Sequence, residues 1–156
     1  MYTAAKVHIW AQEKEPDLIG VDSIGLGAGV ADRLSEMGDN VFEVNVAEKP
    51  TDEVKFRNLK AEIWWNIGRR FSEKDIKLTW KDEELRRELS SVSYEYRNGK
   101  IMLEPKDKVK ERIGRSPDKA DAYIIGLYTL DNAVISKDYH YEDREYSGKS
   151  NKFTGV

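Results

Sequence analysis

Hydrophobic positions in this chain fall into short runs of two kinds, one repeating every three to four residues and one alternating. Ala4, Val7 and Ala11 mark a short helix over 4–15, ended by Pro16. Leu18-Ile19-Gly20-Val21-Asp22 is a compact apolar run closed by a carboxylate, and a glycine-rich stretch from Ser23 to Gly29 follows it. Val30, Leu34 and Met37 then repeat at helical spacing up to Gly38, and Val41–Val46 is β-branched and aromatic. This order of strand, glycine loop, helix and strand predicts a βαβ unit with parallel strands.

Beyond a loop around Pro50, Leu59, Ile63, Trp64, Ile67 and Phe71 outline an amphipathic helix from about 57 to 71. Ile76, Leu78 and Trp80 alternate as a short strand, and Lys81–Leu89 is a charged helix. Val92, Tyr94 and Tyr96 alternate before Asn98-Gly99, and Ile101 and Leu103 after it, which is a hairpin signal. Ser116 as N-cap and Pro117 as the first helical residue open a last helix carrying Ala120, Ile124, Leu127 and Tyr128 inward. The pattern is α/β, a mixed sheet with an antiparallel hairpin and helices packed on it. Residues 1–135 form one domain in this reading, and 136–156, polar and without period, form a loose tail.

Composition narrows the chemistry. The chain has 156 residues, no cysteine and two histidines, His8 and His140. Thiolate metal sites, disulfides and cysteine nucleophiles are excluded, so a metal site would be built from Asp and Glu and would take a hard ion. The net charge of −3 gives no global pull toward DNA or a membrane. No apolar run approaches the length of a membrane span and no signal peptide is evident, so the expected setting is intracellular, away from membranes. Locally the balance reverses. Between Lys106 and Lys119, six basic residues stand against three acidic ones, in a chain that is acidic overall. Lys106, Lys108, Lys110 and Arg115 are candidate contacts to a phosphate backbone.

Three carboxylates draw attention. Asp22 closes a strand at the end where α/β folds place ligands, although an aspartate there also serves to hold the turn that follows. Asp118 and Asp121 lie three residues apart on one side of the last helix; on spacing alone the plainer roles are compensation of the helix dipole for Asp118 and an exposed or partner-bonded acid for Asp121. Gly25-Leu26-Gly27-Ala28-Gly29 falls short of a dinucleotide fingerprint, since Val30 stands where the third glycine belongs. The glycines instead suit a tight turn and close approach to the sheet. Trp64 and Trp65 are candidates for stacking on bases, with core packing the plainer role.

Taken together, "LIGVDSIGLGAGVADRL", "VNVAEKP", "KFRNLKAEIWW" and "RIGRSPDKADAYIIGL" resemble the nuclease domain of the phage terminase large subunit, over about residues 3–130. The resemblance implies an RNase H-like fold that cuts concatemeric double-stranded DNA by two-metal hydrolysis with Mg²⁺ or Mn²⁺. It implies Asp22 as a metal ligand, Asp118 as the best match to a further acidic position, and Asp121 as second choice. It also implies the motor part of the terminase, the small terminase subunit and the portal as partners, and the host bacterial cytoplasm as location. One departure stands out. The family's opening strands, with their own aspartate, have no counterpart before residue 17, and no Walker motif occurs. The expectation is therefore an N-terminally incomplete nuclease domain with an exposed sheet edge, impaired when alone. The alternative is a non-catalytic terminase remnant or assembly module.

Overall fold

The computed structural model describes residues 2–78 and 81–133, with elements in the order α1 (Tyr2–Lys14), β1 (Ile19–Asp22), α2 (Leu26–Glu36), β2 (Val41–Val44), α3 (Leu59–Ser72), α4 (Glu83–Ser91), β3 (Tyr94–Arg97), β4 (Lys100–Leu103), α5 (Lys106–Ile113) and α6 (Asp118–Ala133). The βαβ unit forms as the pattern predicts. β1 and β2 pair in parallel, with Ile19 opposite Val41 and Asp22 opposite Val44, and α2 makes the crossover. α2 starts at Leu26, earlier than the apolar stripe suggests, so Gly27 and Gly29 belong to its first turn rather than to a loop. Gly25, at φ +60°, makes the turn into it.

The hairpin also forms where Asn98-Gly99 places it. Tyr94 pairs with Leu103, and both turn residues have positive φ (53° and 77°), the requirement of a type I′ turn. The strands do not merge into one mixed sheet; they form two separate two-stranded ladders. The reason lies in residues 55–57, which run along β4 and take up its free edge. Ile101 N–H donates to the Lys55 carbonyl (2.8 Å) and Arg57 N–H to that of Ile101 (2.9 Å). Two other expectations need correction, and one helix is new. Ile76–Leu78 is not a strand; Thr79 and Trp80 lie outside the described residues, as do all of 136–156 and its predicted tail character. The basic stretch after Lys106 is itself a helix, α5, whose single buried anchor Val109 is too sparse a signal to show periodicity. Ser116 does not cap α6. The helix begins at Asp118, the carbonyl of Pro117 accepts from Asp121 N–H (2.9 Å), and buried Glu88 of α4 accepts the N–H of Ala120 (2.9 Å).

α6 is the central element. It packs against β1, β2, α3 and α4, and its Ala120, Ile124 and Ile125 join Val44, Val46, Leu59, Ile63, Trp64, Ile67 and Leu85 in the main core. Gly20 lets it do so. A methyl group there would lie 2.2 Å from Thr129 Oγ1 and 3.4 Å from Ile125 Cγ2, so α6 sits directly on β1. Trp64 is a core residue. Trp65 packs with Phe56 and Tyr94 at ring-centroid distances of 6.2 and 5.1 Å, with the Lys55 ammonium 4.7 Å from its own ring centre. Burial pushes the Tyr94 phenol up to about 12.

Candidate functional site

Side chains alternate across a strand, so Asp22 shares with Gly20 the face turned toward α6. Two strand residues advance about 6.6 Å and one turn of helix about 5.4 Å, so the two elements stay in step. Gly20 lies under Thr129 and Ile125; Asp22 comes one turn nearer the start of α6, where Asp121 is. Asp22 and Asp121 both line one small cavity of about 10 Å³, with Lys60 beside them and walls of Ile63, Trp64, Ile124 and Ile125. Asp22 Oδ1 also accepts the N–H of Ile24 (3.2 Å), so it holds its turn as well. Gly27 permits this corner, since a Cβ on it would meet the Asp22 carbonyl at 1.7 Å.

Asp121 is doubly held. Lys60 Nζ lies 2.8 Å from its Oδ1 and Lys106 Nζ 2.8 Å from its Oδ2. Burial works to raise its pKa, and the two ammoniums outweigh burial and keep the carboxyl below the usual range. Lys106 is raised in turn, first by its bond to Asp121, with the charges of Asp118 and Asp22 adding to the effect. All three predicted acids thus act on one ammonium. Asp118 is exposed and lines neither cavity of the site, so it is Asp121 that the structure brings to Asp22. Lys60 was not among the residues singled out in the sequence. Its only signal there is a lysine set among the apolar positions of α3's first turn. A larger cavity of about 190 Å³ adjoins, sharing Lys60, Trp64 and Asp121 and floored by Val92, Leu103 and Val109.

An oxygen-only donor set suits Mg²⁺ or Mn²⁺. Among the described residues, however, no three acidic or histidine side chains gather tightly enough to hold an ion by themselves. Asp22 and Asp121 fit such an ion in chemistry and in shared cavity, with the Lys106 ammonium standing among the acids where a cation is favoured. The other basic residues are mostly paired within the chain. Lys108 meets Glu95 (2.7 Å), and Arg115 meets Glu84 and, at 3.0 Å, Glu88. Lys110 is exposed and makes no ion pair among the described residues. No helix among those residues is long and apolar enough to cross a membrane.

No family model and no curated protein matches the chain. Among solved structures it is similar to the nuclease domain of the large terminase subunit gp2 of bacterial virus Sf6, at TM-score 0.60 and 22% identity, covering 78% of this chain and 69% of that one. A lysine-to-alanine variant of that domain with manganese matches at TM-score 0.60 and 22% identity, over 78% of this chain and 70% of the other. The variant with manganese and beta-thujaplicinol matches at TM-score 0.59 and 22% identity, over 78% and 69%. The chain therefore has the α/β, RNase H-like fold of a terminase nuclease domain.

Proposed function

We propose that this chain is a nuclease segment of a phage DNA-packaging terminase, acting on double-stranded DNA with Mg²⁺ or Mn²⁺. The observation that carries the reading is the shared cavity of Asp22 and Asp121, at a strand end and a helix start of a fold built like terminase nuclease domains. Residues 1–135 make up the nuclease part in this reading. When bound, the divalent ions supply a hydroxide nucleophile and stabilise the leaving 3′-oxygen. Asp22 and Asp121 hold the cation, with Asp118 at the exposed rim. Lys60 keeps Asp121 ionised and in place, and Lys106, once displaced from Asp121, is free to meet a phosphate. Lys108, Lys110 and Arg115 extend that basic edge, with Lys110 the most available because its charge is uncommitted. The remaining terminase parts, namely motor, small subunit and portal, are the proposed protein partners, and the host cytoplasm the setting.

Two described acids and a neutralising lysine make a weak site, so slow cleavage by the isolated chain is the expected behaviour. The test is Mn²⁺ calorimetry beside plasmid nicking, on the wild type, Asp22→Asn and Asp121→Asn. Weak binding and residual nicking that both substitutions abolish support the reading; nicking that survives both overturns it. A second reading, a non-catalytic assembly module, draws on the pairing of Asp121 with two lysines. It predicts no Mn²⁺ binding at all.

A further inference from the structure

We infer that the cavity of about 190 Å³ beside Asp121 is a seat for one unpaired pyrimidine base of a DNA strand, with the phosphate of the same nucleotide at Lys106. This rests on the nuclease reading and adds to it a choice of base. The cavity lies where the start of α3, the end of β4, α5 and the first turn of α6 come together, and its lining is of two kinds. Trp64, Val92, Met102, Leu103, Val109 and Pro117 are apolar, and Trp64 is only 5% exposed, so this part of the wall is preformed. The rest is Asn58, Lys60, Glu104, Lys106 and Asp121.

The polar lining offers mainly donors. The oxygens of Glu104 already face Arg112 and the Ser93 N–H, and those of Asp121 face Lys60 and Lys106. Each of the two ammoniums has three N–H groups and gives one to Asp121. Asn58 spends its Oδ1 on the Ala61 N–H (3.0 Å) at the start of α3, which leaves its amide N–H groups to donate. A ligand that suits this lining has a flat apolar body, acceptors at its edge and negative charge at one end. A nucleotide is built in that way, and every pyrimidine carries a carbonyl O2 as acceptor. Base faces also pack favourably on aromatic walls such as that of Trp64.

Volume selects the base. A cavity of about 150 Å³ with an apolar lining takes one benzene ring. At about 190 Å³ this one takes a six-membered ring with its exocyclic groups and crowds the fused rings of a purine. The cavity shares Lys60, Trp64 and Asp121 with the smaller one that Asp22 lines, so the seat is next to the proposed cation. A base reaches it only out of the stack, from a strand end, a flap or an extruded position. Residues 134–156 carry four aromatic side chains of their own, Tyr139, Tyr141, Tyr146 and Phe153, so the test uses the full chain.

That test is calorimetry in EDTA with thymidine 5′-monophosphate, deoxyadenosine 5′-monophosphate and deoxyribose 5-phosphate. Neither Mn²⁺ binding nor nicking enters it, so its outcome is separate from that of the nuclease reading. Thymidine monophosphate is expected to bind about tenfold tighter than the base-free sugar phosphate, and tighter than the purine nucleotide. Val92→Phe and Met102→Phe fill the cavity and should bring thymidine monophosphate down to the level of the sugar phosphate, with circular dichroism confirming the fold. Nuclear Overhauser contacts from the thymine methyl to the methyl groups of Val92 and Leu103 are expected in the wild type, and they need no variant. Equal binding of the three ligands overturns the proposal. So does a preference for the purine, a pyrimidine preference that both folded variants keep, or contacts from the thymine methyl to other methyl groups only. Absence of binding overturns it as well, including where an aromatic side chain from 134–156 fills the cavity in the full chain.

Discussion

Gly20 and Thr129 set the distance between β1 and α6: a methyl group on the glycine would stand 2.2 Å from Thr129 Oγ1 and 3.1 Å from its Cβ. Neither partner yields easily, since Thr129 is buried within a helix. Gly20→Ala is expected to cost about 1–3 kcal/mol by overpacking. Adding Thr129→Ala removes the hydroxyl but keeps the Cβ, so the double variant should recover part of the loss in urea denaturation. The Thr129 hydroxyl is itself buried without a hydrogen-bond partner among the described residues. Thr129→Val, of the same shape, should therefore raise stability by about 1 kcal/mol.

Glu88 ties α4 to α6. Its carboxylate is 2% exposed, accepts the Ala120 N–H at 2.9 Å and pairs with Arg115 at 3.0 Å. Glu88→Ala leaves a buried N–H unsatisfied at the first turn of α6 and should cost about 2–4 kcal/mol. Because Asp121 sits in that same turn, Mn²⁺ binding measured on the folded fraction should weaken as well. An unchanged melting curve would remove Glu88 from this role.

Acid sensitivity should report on Glu104. Two hydrogen bonds from Arg112 (2.9 and 2.7 Å) and one from Ser93 N–H (2.8 Å) hold its carboxyl below the ordinary 4.5, the Arg112 bonds having the largest effect. The folded pKa is lower than the unfolded one, so the stabilisation is complete above about 4.5 and is lost as pH falls through the folded value. Glu104→Gln should lower stability by about 1–3 kcal/mol at neutral pH. The gap from wild type should shrink below pH 4.5, as read by denaturation at a series of pH values.

Lys106 competes with any cation for Asp121. Lys106→Met frees one carboxylate oxygen and removes a positive charge that Asp22 and Asp118 also feel. Mn²⁺ affinity by calorimetry is expected to rise about tenfold, equivalent to about 1.4 kcal/mol. Asp121→Asn on the same background should abolish the gain. If the affinity falls instead, Lys106 supports the site rather than occupying it.

Local signals were the legible part of this fold. The parallel unit, the Asn98-Gly99 hairpin and the amphipathic α3 each depend on residues near one another in sequence, and the structure has all three. Asp22 was legible for the same reason, since a carboxylate ending an apolar strand marks a position. What escaped were pairings across long separations. Glu88 lies 32 residues from the Ala120 it caps, and Lys60 lies 61 positions before the Asp121 it holds. Asp118 and Asp121 look alike from spacing alone. Only the seat of α6 on β1, set by Gly20, turns one of them to Asp22 and leaves the other exposed.

The corner where Gly27 meets the Asp22 carbonyl bears on how the sequence is free to change over time. With only 1.7 Å available, no residue possessing a side chain fits at position 27, whereas a Cβ at Gly29 would meet nothing within 4 Å. Descendants of this chain should therefore hold the middle glycine of the three fixed for want of space and Gly25 for its positive φ, and let Gly29 drift, so that a glycine-rich stretch carries two unlike constraints rather than a motif.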